Sequence, residues 1–131
     1  MILDELDTIT HDRAIEALWA SALAGRDALI VGRPVRLAEE LLAHTRAVWR
    51  SHGAPRNLRA TKTAIELRPR GRILARAASP TIEGMDAGVI VLVKPHMWIA
   101  SFERIAPILD RIALRQSAQV VALRYTVPPR P

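Results

Sequence analysis

The chain has 131 residues, half of them hydrophobic, no cysteine, and a formal charge of +6 at pH 7. That length suits one domain with a real core, and the apolar fraction excludes a disordered tail. The lack of cysteine excludes disulfides, zinc–thiolate sites and thiol catalysis together, and no apolar run approaches the length of a membrane span.

The first predicted element is "THDRAIEALWASALAG", a helix that Thr10 caps and Gly25 stops, with Ile15, Leu18, Trp19, Ala22 and Leu23 on one face. "DALIVGRP" follows as a short strand over 28–31, closed by Gly32 and Pro34. A second helix in "VRLAEELLAHTRAVWRSHG" turns Leu37, Leu41, Leu42, Thr45, Val48 and Trp49 inward and ends at Gly53. "TAIELRPRGRILARAA" changes period. Ile65 and Leu67 alternate with polar neighbours, 69–71 turn, and a strand begins at Ile73, so the segment predicts a hairpin with a loop of three or four residues.

"SPTIEGMDAG" is a loop that leads to "VIVLV" (89–93), five aliphatic residues without alternation. Such a run suits a strand covered on both faces, as in a parallel sheet between helix layers. A helix over "SFERIAPILDRIALRQ", with Phe102, Ile105, Ile108, Leu109 and Ile112 inward and Pro107 starting its regular part or kinking it, and a last strand in "AQVVALRY" complete the chain. Helices alternating with apolar strands predict one three-layer, mostly parallel α/β domain over 1–131.

This order, with "KTAIELRPRGRILARAASPTIEGMDAG" and the strand ending "LRYTVPP", resembles the ATPase domain of phage terminase large subunits. "GRPVRLAEE" is also similar to a box in the first lobe of superfamily-2 helicases. Both families imply a RecA-type sheet, and the terminase likeness, over about residues 11 to 129, implies a DNA-packaging role. No nuclease domain is expected in this chain. The nucleotide machinery these families imply is missing. A phosphate loop needs glycines and a Lys-Ser/Thr pair, whereas "LDELDTITH" has neither glycine nor lysine and lies among four acids, Asp4, Glu5, Asp7 and Asp12. The Walker B position carries Lys94, Pro95 and His96 instead of Asp-Glu, and a lysine there would repel magnesium. The third motif reads Arg124-Tyr125-Thr126. The expectation is a pseudo-ATPase that uses no cofactor. Lys-Pro instead serves to end the strand, since proline needs no ladder partner and lysine reaches water.

Seventeen of the 19 basic residues are arginine against 13 acidic ones, a balance that favours a polyanionic partner over a solvated basic face. Eight basic residues and one acid, Glu66, fall between Arg50 and Arg76. Arg68, Arg70 and Arg72 crowd the predicted hairpin tip, with Arg56, Arg59 and Lys62 on the loop before it. The expectation is sequence-independent contact with a DNA backbone through these six, since aromatics for base stacking are scarce. A protein partner or a homo-oligomer is expected beside DNA, and a membrane is not. The four histidines, His11, His44, His52 and His96, predict no metal site, and Trp98 is expected to pack under the helix that follows it. No serine sits in a nucleophile motif. Two alternatives stand beside this reading: a divergent terminase-like or helicase-like ATPase completed by another chain, and a prophage remnant that still folds. The opening Met1-Ile2-Leu3-Asp4-Glu5 is not a signal peptide, so a cytoplasmic location is expected.

Overall fold

Two strands in which every residue is buried set the plan of the molecule, Ala28–Gly32 (β2) and Val89–Val93 (β6). Successive strand side chains point to opposite faces. Ala28 and Ile30 with Val89, Val91 and Val93 enter one apolar cluster, whereas Leu29 and Val31 with Ile90 and Leu92 enter the other. An unbroken aliphatic run is therefore what a strand between two apolar layers requires.

The computed structural model describes residues 1–51, 58–67, 70–98 and 101–124. A seven-stranded sheet runs in the order β1 (Asp7–Thr8), β7 (Gln119–Leu123), β6, β2, β5 (Arg72–Ala77), β4 (Ala64–Leu67), β3 (Leu58–Ala60). β1, β7, β6, β2 and β5 are parallel, and β4 and β3 complete the sheet in antiparallel pairing. Helices α1 (His11–Leu23) and α2 (Val35–Ser51) bury Leu18, Trp19, Leu41 and Leu42 in the first cluster. Helix α3 (Ser101–Gln116) buries Phe102, Ile105, Leu109 and Ile112 in the second. This is a three-layer α/β fold with a mostly parallel sheet. No helix among the described residues is long and apolar enough to cross a membrane.

Local signals account for most boundaries. Thr10 caps α1 by accepting from the Arg13 amide at 3.3 Å, and Gly25 takes φ +87° just beyond its end. Gly32 has no room for a side chain, because an added Cβ would lie 2.8 Å from the Ala38 amide nitrogen where β2 meets α2. Pro107 lies inside α3 on its exposed face. Trp98 packs against Phe102 and donates to the Val93 carbonyl at 3.0 Å, which seats it under α3 as expected.

The structure differs from the expectation in four places. The segment before α1 contains a strand, β1, too short to show periodicity. The stretch carrying Arg59 is an edge strand paired with β4, not a loop. The loop after β5 contains a short 3-10 turn, Pro80–Ile82, capped by Ser79. Val48, expected inward, is 37 % exposed, while Trp49 is half-buried and stacks on Trp19 with ring centroids 4.2 Å apart. The expected helix stop at Gly53 lies outside the described residues.

Candidate nucleic-acid interface

The hairpin tip lies at the amino-terminal end of the parallel strands, where its charges have internal partners. β5 runs beside β2 with Ala28 opposite Ile73, so Arg72 stands next to Asp27. The Arg72 guanidinium donates to Asp27 Oδ2 from Nε at 3.2 Å and from Nη2 at 2.7 Å. The Arg72 amide donates to Oδ1 at 2.9 Å. This bonding, and the charge of Asp27 behind it, raises the Arg72 pKa. Arg70 donates to the Leu23 carbonyl at 3.2 Å, at the helix end where a cation is favoured. Gly71 lies so close to Arg26 that a Cβ there would meet its carbonyl oxygen at 2.7 Å, and the Gly71 amide donates to Ala22. Lys62 pairs with Glu39 at 3.3 Å, which supplies the counter-charge for that half-buried carboxylate. Arg59 is exposed on the edge strand. Arg56 and Arg68 lie outside the described residues. Lys62, Arg70 and Arg72, three of the six residues expected on a DNA backbone, thus have partners within the fold.

The opposite edge is different. β2, β5, β6 and β7 end in register, with Gly32 opposite both Ala77 and Val93, and Val93 opposite Leu123. Arg124, Lys94 and Arg33 follow three adjacent strand ends, about 5 Å apart in succession along the edge. The first turn of α2 adds Arg36 and contains no acid. The first turn of α3 adds Arg104 beside Glu103. Arg33, Arg36 and Arg104 are exposed, with no ion pair among the described residues. Cations at helix amino termini oppose the macrodipole, so fold stability does not call for Arg36 and Arg104.

The positions that the terminase likeness assigns to nucleotide chemistry fall on this same edge. Only Ile9 and Thr10 separate β1 from α1, and the Thr10 side chain is committed to the helix cap. That link has no backbone to wrap around a phosphate. At the end of β6, Lys94 is half-buried and left-handed at φ 49°, and its amide donates to the Leu123 carbonyl at 2.7 Å. Pro95 is buried, and His96 is exposed. Arg124 is half-buried and donates to Thr8 Oγ1 at 3.2 Å. Thr126 lies outside the described residues.

Between the ends of β2 and β5 and the start of α3 is a crevice of ≈ 400 Å³, lined by residues that include Gly32, Arg33, Val35, Ser79, Ser101 and Arg104. Ser101 at its wall is 7 % exposed.

One pairing was not legible in the sequence. His11 at the start of α1 and His44 in α2 meet with Nε2 and Nδ1 3.2 Å apart, their rings edge to face. No group of three or more metal-binding side chains occurs among the described residues. Burial, then the neighbouring His44, lowers the His11 pKa, and Asp12 partly opposes this. The folded state thus favours neutral His11, and the unfolded chain binds more protons at acid pH. This contribution to stability is complete above the unfolded value of 6.5 and declines as pH falls below it. Thermal melts between about pH 7.5 and 5 should show a falling melting temperature, and His11→Gln should flatten the slope.

No family model matches the chain, and no curated protein matches it.

Proposed function

We propose that this protein binds nucleic-acid backbone through the carboxyl edge of its sheet, as a terminase-like DNA-packaging or DNA-binding accessory domain without ATP hydrolysis of its own. The observation that carries the reading is the row Arg124, Lys94, Arg33 on adjacent strand ends, flanked by Arg36 and Arg104. Arg33, Arg36 and Arg104, the exposed arginines of this array, suit phosphate, because each phosphate they neutralise releases counterions from the duplex. What supports the terminase-like and RecA-type part is the strand order. β1, β7 and β6, which would carry the phosphate loop, the third motif and the Walker B carboxylates, lie side by side and point the same way.

The pseudo-ATPase part is supported by the two-residue link after β1 and by Lys94 where magnesium would need a carboxylate. The expected outcome is neither ATP turnover nor a magnesium-dependent thermal shift with ATP. A saturable, magnesium-dependent shift of several degrees, which a real nucleotide site would give by ligand linkage, contradicts this part and favours the divergent ATPase. The binding part is tested by duplex titration against salt, with and without Arg33, Arg36 and Arg104.

A further inference from the structure

β2 and β5 are parallel neighbours whose chains leave to opposite faces. After β2 the chain enters α2, which packs with α1 on the first cluster, and after β5 it enters the turn that buries Ile82 in the second. Ligands of open α/β sheets bind at such divergences, outside the carboxyl ends of the strands. The ≈ 400 Å³ crevice occupies this place.

Its chemistry is one-sided. Two helices, α2 and α3, begin at its wall with Val35 and Ser101, so their positive dipole ends are close by. Arg33 and Arg104 line it, and among the described residues no acidic side chain does. Ser101, 7 % exposed, adds a hydroxyl donor at the wall. Two guanidinium groups and two helix ends facing one cavity suit a dianion.

We propose that this crevice binds a phosphate monoester, the dianionic end group of a phosphorylated small molecule or of a nucleic-acid strand. The apolar walls supplied by Val35, Ala77 and Ile105 would hold the body attached to the phosphate. The site shares Arg33 and Arg104 with the backbone-binding edge, but its geometry stands without that reading.

The test uses inorganic phosphate, AMP and adenosine at matched ionic strength, followed by thermal shift and calorimetry. It adds one duplex with and without 5′-phosphates, followed by anisotropy. Phosphate and AMP are expected to give saturable shifts and adenosine none. Ser101→Ala should weaken both by about tenfold, since it removes one hydrogen bond to a charged group. Arg104→Gln, at an exposed position, should weaken them at least as much and leave the fold unchanged. Tighter binding of the end-phosphorylated duplex assigns the site to strand ends, and equal binding of the two duplexes with saturable AMP assigns it to a small molecule. Absence of any phosphate or AMP shift with equal duplex binding overturns the proposal, as does parent-like binding by both variants. Retained AMP binding in a protein that binds no duplex removes the backbone reading and leaves this site standing.

Discussion

Ile90→Asp should unfold the domain. Ile90 is fully buried in β6, between β2 and β7, and its side chain belongs to the cluster under α3. Aspartate there loses the transfer energy of the aliphatic group and buries a carboxylate among Leu29, Leu92 and Leu109. An unpaired buried carboxylate and the loss of a core side chain cost several kcal/mol together, against a total stability of about 5–15 kcal/mol. Leu114 provides the control, because at 86 % exposure on α3 its change to Gln removes almost no buried surface and adds no charge to the helix end. Circular dichroism should find the Leu114 variant melting with the parent and the Ile90 variant without a cooperative transition. Parent-like melting by the Ile90 variant would contradict the two-faced burial of β6.

The second large effect concerns binding. Exchanging Arg33, Arg36 and Arg104 together for Ala should weaken duplex binding and flatten its salt dependence by up to about three units of log–log slope, roughly one for each phosphate no longer neutralised. The fold should be unaffected. The three side chains are exposed, and Arg36 and Arg104 stand at helix amino termini where a cation is unfavourable. The triple variant should therefore melt no lower than the parent. A large loss of stability would show that these arginines hold the fold together, as Arg72 holds the hairpin to Asp27.

The elements whose side chains repeat with a clear period were legible in the sequence. The apolar stripe of α1, the unbroken run of β6 and the inward residues of α3 each report their own burial. β1 and β3 were not, because strands of two and three residues owe their form to the neighbour they pair with. The basic cluster was visible as a local density of arginine, but its use was not. Arg72 is satisfied by Asp27, which is distant in sequence and adjacent only through the parallel register of β2 and β5. The same blindness hid the opposite edge. Arg33, Lys94 and Arg124 are scattered along the chain, and strand order alone places them in a row. His11 and His44 meet because α1 and α2 cover the same face of the sheet, which no spacing within one helix reports.

Whether the carboxyl edge of the sheet binds a duplex is decided by one titration. Fluorescence anisotropy of a labelled duplex at several salt concentrations would compare the parent, the Arg33/Arg36/Arg104 variant, and a hairpin variant with Arg59 and Arg70 changed to Ala. The expected result is sequence-independent binding that weakens steeply with salt in the parent. A flatter slope is expected for the edge variant and a slope near the parent's for the hairpin variant. Loss of binding in the hairpin variant with an unchanged edge variant, or no binding by the parent at low salt, would contradict the proposed edge.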